Sequence, residues 1–169
     1  MRSERIIRAT VALVTLAALY FTASGGKPSM EHTLSYTVLE TGKDAAFSER
    51  KPSLLLFTEE GNFDRFCASL HINQVPVPVP PAVDFNENVV AFISYGQKNT
   101  GGYSIDVLRV FTARDTLFIK AQGRQPLPDS FQIQVLTHPY AMLSITRGDF
   151  KSVDLIDERG ERLDSKSLQ

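Results

Sequence analysis

The sequence is poor in the residues that build disulfides, metal sites and common catalytic motifs. It has one cysteine, three histidines and no tryptophan in 169 residues. One cysteine excludes an intramolecular disulfide, and three scattered histidines do not make a zinc-binding pattern. No Gly-x-Ser-x-Gly elbow, His-Glu-x-x-His helix or Gly-x-x-x-x-Gly-Lys loop occurs. We therefore predict no metal, no cofactor and no catalytic residues.

The chain also lacks an excess of charge of either sign. It has 18 basic and 19 acidic residues, a formal net charge of −1. No global electrostatic attraction then favours nucleic acid or an anionic membrane, and we predict no nucleic-acid partner. A hydrophobic content of 43% with 22% charged residues predicts one folded domain with a short extension.

The N-terminus has the pattern of a secretory signal peptide. Arg2, Arg5 and Arg8 precede the apolar stretch Val11 to Phe21, and small residues follow. A spanning helix needs about 20 apolar residues, so we expect no stable span in the mature chain. We predict a signal peptide at residues 1–25 and a periplasmic or extracellular protein. The alternative is that the segment is kept as an N-terminal membrane anchor.

One helix is predicted in the mature chain, near residues 59–71. Thr58 is the expected N-cap, and apolar residues then recur at helical spacing. The apolar residues of this stripe are Phe63, Phe66, Cys67 and Leu70. The proline-rich run Val75 to Pro81 is expected to form a stiff surface crossover held to the body by its valines.

The rest of the pattern is β, so the predicted fold class is α+β and mostly β. We expect an antiparallel meander that closes into a sandwich or half-barrel. We predict an N-terminal lead and first strand at 26–52, a core at 53–157 and a polar tail at 158–169. The predicted strands are Thr33–Glu40, Ser53–Phe57, Val89–Tyr95, Tyr103–Val107 continuing past a bulge near Val107-Leu108, Thr116–Ala121, Phe131–Val135, Ala141–Thr146 and Ser152–Asp157.

Two stretches carry a family resemblance. They are NVVAFISYGQKNTGGYSI, residues 88–105, and VLTHPYAMLSIT, residues 135–146. Their spacing resembles the C-terminal domain of the PrcB family, named for an accessory subunit of a secreted bacterial protease complex. The resemblance covers roughly residues 53–147, although the helix lacks the tryptophan that members often carry, a space Phe63 or Phe66 would fill. It implies an exported, non-catalytic module.

The candidate binding residues lie in the elements that carry this resemblance. A Gly-rich loop that includes Lys98 joins two predicted strands, and its glycines tolerate positive φ as a hairpin requires. The same glycines could instead form an anion-binding nest to which Lys98 adds charge. The candidate binding residues are Lys98, Asn99, Gly101, Gly102, Tyr103, Pro139 and Tyr140.

Two other groups of residues have side chains that could serve catalysis. Cys67 and His71 stand four apart on the predicted helix, as a thiol–imidazole pair would. The apolar stripe favours a buried, inert Cys67 instead. An alternative function is a small periplasmic hydrolase or ligand-binding protein with a site assembled from Asp84, His138 and Tyr140.

The favoured function is therefore an exported interaction module. It would bind or stabilise another envelope or secreted protein as an accessory subunit.

Overall fold

Two β-sheets and one α-helix make up the described part of the chain, residues 30–43 and 49–168 of a computed structural model. The predicted signal peptide lies outside these ranges. No helix in the described ranges has the length and apolar character needed to cross a membrane. The elements are β1 (Glu31–Thr33), β2 (Tyr36–Gly42), β3 (Ser53–Phe57), α1 (Glu60–Leu70), β4 (Asn88–Ser94), β5 (Ser104–Ala113), β6 (Thr116–Arg124), β7 (Tyr140–Thr146), β8 (Ser152–Ile156) and β9 (Arg162–Ser167).

The sheets form a sandwich, which confirms the predicted α+β, mostly β fold class. One sheet has the order β1-β5-β6-β8-β9 and the other β2-β7-β4-β3. Their facing sides share one apolar core, because strand side chains alternate between faces. Its fully buried members include Leu54, Val89, Ala91 and Ile93 from the four-stranded sheet and Leu117, Ile119, Val153 and Leu155 from the five-stranded sheet.

Helix α1 covers the outer face of the four-stranded sheet. Phe63, Cys67 and Leu70 are buried against Phe92 and Met142, as the apolar stripe predicts. Strand β4 is therefore covered on both faces, which confirms Val89–Tyr95 as a central strand. The N-cap is Glu59 and not Thr58, and it makes no side-chain capping bond.

The strand connectivity differs from a simple meander. After β4 the chain crosses to the other sheet, forms the β5–β6 hairpin and returns to β4 as β7. Strand β8 then pairs with β6 in parallel. A meander would have placed β5 beside β4, whereas β4 has β3 and β7 as its neighbours. The bulge near Val107-Leu108 is confirmed, and Arg114 has φ 54 in the turn between β5 and β6.

The predicted first strand, Thr33–Glu40, is two strands in different sheets. β1 pairs with β5 and β2 pairs with β7. The change of sheet occurs where the Leu34 N–H donates to the Val110 carbonyl at 3.1 Å and the Ser35 carbonyl accepts from Thr146 at 3.3 Å. Local alternation continues through this corner, so the pattern alone does not reveal it.

The proline-rich crossover is not held by its valines. Val75 is 96% exposed and Val79 is 89% exposed. The polyproline conformation has three residues per turn, so valines two apart point in different directions and cannot share one buried face.

The polar segment after the Arg159-Gly160 turn forms a strand. It is β9, which pairs antiparallel with β8 at the edge of the five-stranded sheet. The Leu54 N–H of β3 donates to Asp164 Oδ2 of β9 at 2.8 Å. This bond links the two sheets along one side of the sandwich.

Candidate functional site

The loop from Gly96 to Gly102 leads from β4 to β5 and so connects the two sheets. It was predicted as a hairpin, but its flanking strands do not pair with each other. Gly96 has φ 74 and Gly102 has φ 84, which confirms the prediction of a positive φ within Gly101-Gly102. The reason is the change of direction between sheets and not a strand reversal.

Lys98 lies over two tyrosine rings inside this loop. Its Nζ is 3.7 Å from the centroid of Tyr95 and 5.9 Å from that of Tyr103. Burial lowers the pKa of the Lys98 ammonium. Lys98 is half-buried, whereas its neighbour Asn99 is exposed at the tip. The loop thus presents a cation whose position is set by aromatic faces.

Gly123 of β6 provides the space for the Tyr95 ring. A Cβ at this position would collide with ring atoms of Tyr95. Neither residue was among the sequence candidates. The predicted strand ended at Ala121, whereas β6 continues through Gly123 to Arg124. A glycine inside a strand often marks the close approach of another group.

A second stretch runs antiparallel along the loop. We call residues 125–136 the outer segment. The Gly101 N–H donates to the Ile133 carbonyl at 3.0 Å, and Lys98 exchanges two backbone bonds with Thr137 at 2.8 and 2.9 Å. The Thr137 hydroxyl donates to the Thr100 carbonyl at 3.0 Å. These bonds hold the loop against the chain that leads into β7.

The strand predicted at Phe131–Val135 is absent from the structure, so that prediction is wrong. These residues have no regular secondary structure and belong to neither sheet, and Phe131 is 93% exposed. Gln132 is half-buried and its side chain lies beside Gly102. Gln132 therefore faces the loop, while Phe131 and residues 133–136 are exposed to solvent.

The loop is poorly suited to the anion-nest alternative. Three of its N–H groups already donate to carbonyls, those of Gln97 to Glu49, Lys98 to Thr137 and Gly101 to Ile133. A nest needs such groups free and convergent. These bonds fix the conformation of the loop backbone.

The Pro139-Tyr140 pair is divided between two environments. The Pro139 carbonyl accepts the Tyr95 N–H at 2.8 Å, so Pro139 supports the base of the loop. Tyr140 packs under α1, and its hydroxyl donates to Glu40 Oε1. The structure thus brings Lys98, the glycines and Tyr103 together and sends Tyr140 elsewhere.

Glu40 is the centre of a polar group beneath the helix. Its carboxylate lies 3.2 Å from His71 Nε2, and Gln74 Nε2 lies 3.0 Å from His71 Nδ1. The partners observed are side chains, and Glu40 is distant in sequence, so no local pattern pointed to it.

Cys67 is next to this group but is not activated by it. Burial, with smaller contributions from Glu40 and Asp64, raises the pKa of its thiol from 9.0 to about 11. A thiol nucleophile needs a lowered pKa. The interpretation of Cys67 as a buried apolar side chain is therefore favoured over a Cys67–His71 pair.

The residues of the alternative hydrolase site are not brought together. Asp84 precedes β4, where it accepts the Asn86 N–H at 2.9 Å. Tyr140 pairs with Ser94 at the far end of that strand. Seven residues of strand span roughly 20 Å, so Asp84 and Tyr140 lie at opposite ends of the sheet. The His138 N–H donates to the Lys43 carbonyl at 2.7 Å.

Comparison with known proteins supports the resemblance in the sequence. A family model for the PrcB C-terminal domain matches residues 89–146. No curated protein and no solved structure gives a significant match. The matched range runs from β4 to β7 and includes both the loop and the outer segment. The resemblance to the PrcB family is thereby confirmed over residues 89–146.

Proposed function

We propose that this protein is an exported, non-catalytic interaction module that serves another envelope or secreted protein as an accessory or stabilising subunit. The observation that carries the proposal is the PrcB C-terminal match over residues 89–146. Export rests on the pattern of residues 1–25.

The loop around Lys98 is the surface we assign to this partner. Its backbone is fixed by bonds to Ile133 and Thr137, so little conformational freedom is lost on binding. Tyrosines are frequent binding hot spots, and Tyr95 and Tyr103 stand beside a positive charge. The exposed amide of Asn99 can add a hydrogen bond. A partner with an acidic or carbonyl-rich patch would fit this surface.

The proposal is tested by affinity capture from the envelope fraction of the host, followed by binding measurements with the purified partner. Lys98→Ala should weaken binding about tenfold, the loss of one hot-spot contact. The matched control is Lys151→Ala. Lys151 is 79% exposed and pairs with Asp115 at the opposite end of the β5–β6 hairpin. Its removal should leave binding unchanged, and thermal melting of each variant separates binding from folding.

Two results would contradict the proposal. The first is that no envelope or secreted protein is captured by the wild-type chain. The second is that Lys98→Ala and Asn99→Ala bind the captured partner as well as Lys151→Ala does. Export is tested by mass spectrometry of the exported form, which should lack about 24–25 residues from Met1 onwards.

A further inference from the structure

The outer segment has one edge of its backbone engaged and one edge free. Within the described residues, the Ile133 carbonyl accepts from Gly101 of the loop, and Thr137, just after the segment, exchanges backbone bonds with Lys98. Phe131, Gln132 and residues 134–136 make no backbone hydrogen bond. Backbone groups of an extended chain alternate in direction from one residue to the next. Because the Ile133 carbonyl is directed at the loop, a strand-like segment directs the backbone groups of Gln132 and Gln134 away from it.

The side chains of this segment make an apolar row that faces solvent. Phe131, Ile133 and Val135 are 93%, 68% and 47% exposed, and they alternate with glutamines. The only charged residue between positions 125 and 136 is Asp129. An extended edge with alternating aromatic and β-branched residues and almost no charge is a template for strand pairing.

The edge strands of the five-stranded sheet lack this character. β9 carries Arg162, Asp164 and Lys166, and β1 has three residues, one of them charged. Charges and short length are the usual protection against edge-to-edge association. The outer segment has neither form of protection.

We propose that the outer segment pairs antiparallel with the same segment of a second copy of this chain. A two-fold axis through Ile133 brings Ile133 opposite its symmetry mate and Gln132 opposite Gln134 of the other copy. The Gln132–Gln134 pairs then exchange backbone hydrogen bonds through the groups that are free in one copy. Phe131 faces Val135 across the axis, so the two apolar rows join into one. With a nearly uncharged segment, the pairing brings few like charges together.

The area available fits a weak dimer. The exposed apolar residues of the segment are Leu127, Phe131, Ile133, Val135 and Leu136. Leu127 lies outside the paired register, so the other four, at about 100 Å² each, bury roughly 800 Å² over both copies, the size of a weak or transient interface. Dimerisation should therefore depend on concentration.

Sedimentation of the purified protein over a concentration series is the first test. We expect a monomer–dimer equilibrium, and Ile133→Asp should raise its dissociation constant at least tenfold, because two carboxylates then meet at the axis. The control is Val79→Asp, at an exposed valine outside the segment, which should leave the equilibrium unchanged. Gln134→Pro removes a free-edge N–H and should also abolish the dimer.

Cross-linking tests the register. In a Cys67→Ala background, Ile133→Cys should oxidise to a disulfide dimer, because residues facing each other in a non-hydrogen-bonded pair have Cα atoms about 4.5 Å apart. Val79→Cys under the same oxidant should stay monomeric.

The proposal is overturned if the wild type sediments as a monomer throughout. It is also overturned if Ile133→Asp and Val79→Asp dimerise equally, or if Ile133→Asp loses the captured envelope partner while its own oligomeric state is unchanged. These measurements use the protein alone, so their outcome is separate from the interaction with another protein proposed above.

Discussion

Cys67 gives the sharpest test of how α1 is packed. Its side chain is 2% exposed between the helix and the outer face of the four-stranded sheet, and the pKa of its thiol is raised from 9.0 to about 11. Thiolate is the form that reacts with alkylating reagents. At pH 8, a pKa higher by two units lowers the thiolate fraction about 100-fold, before any protection by burial is counted. Native labelling should therefore be at least about 100-fold slower than labelling in denaturant.

The same shift predicts a pH dependence of stability. The folded-state pKa lies above the unfolded-state value, so the contribution of the thiol is fully present below about pH 9. As the pH rises from about 9 to about 11, the unfolded state loses the proton first. The free energy of unfolding should then fall by about 1.4 kcal/mol per pH unit, to a total of roughly 3 kcal/mol.

The assay compares denaturant unfolding of the wild type and of Cys67→Ala between pH 8 and 11. Lysines and tyrosines titrate in both proteins, so the difference between the two curves isolates the thiol. Cys67→Ser should cost about 1–3 kcal/mol at pH 7, because a hydroxyl replaces the thiol among Phe63, Phe92 and Met142. Fast native labelling, or parallel pH curves for wild type and Cys67→Ala, would refute the packing of this helix face.

Four further substitutions test other parts of the structure by denaturant unfolding. Gly96→Ala should cost about 2–4 kcal/mol, because its φ is 74 and the new Cβ would lie 2.6 Å from a backbone carbonyl oxygen. Gly61→Ala, with open space around it in α1, should instead stabilise the protein by about 0.5–1 kcal/mol. Equal effects of the two substitutions would contradict this reasoning. Tyr140→Phe removes the bond to Glu40 and should cost about 1–3 kcal/mol, and an unchanged midpoint would show that the bond contributes nothing. Asp164→Ala leaves the N–H at the start of β3 without its acceptor and should cost about 1–3 kcal/mol, while a neutral result would mean that this link between the sheets is dispensable.

Local patterns in the sequence were sufficient for the elements that bury a continuous apolar face. Val89–Tyr95 is apolar at nearly every position, and only a strand covered on both sides suits that composition. The helix followed in the same way from the spacing of Phe63, Cys67 and Leu70. Period and burial coincide in these segments, so the sequence identifies them directly.

The wrong strand predictions concern segments whose pairing depends on residues far away in the sequence. Phe131–Val135 alternates as well as any strand, yet no described strand pairs with it. The polar β9 has no apolar period, and its position depends on β8 and on the bond from Leu54. In the candidate site, positive φ was predictable from the glycines. The contact of the Tyr95 ring with Gly123 and the polar group around Glu40 were not predictable, because the partners come from distant elements.

The link between β3 and β9 has a consequence for the time course of folding. The Leu54 N–H and the Asp164 carboxylate are 110 residues apart, and β1 pairs with residues 111–113. Closing such long loops costs conformational entropy before the stabilising contacts form. We therefore expect folding on the millisecond to second scale. During synthesis, β1 and β2 have no partner until β5 and β7 have been made, and the Leu54–Asp164 bond can form only after β9 has been made. Removing β9 would remove the Leu54–Asp164 bond between the sheets and should slow their docking onto each other.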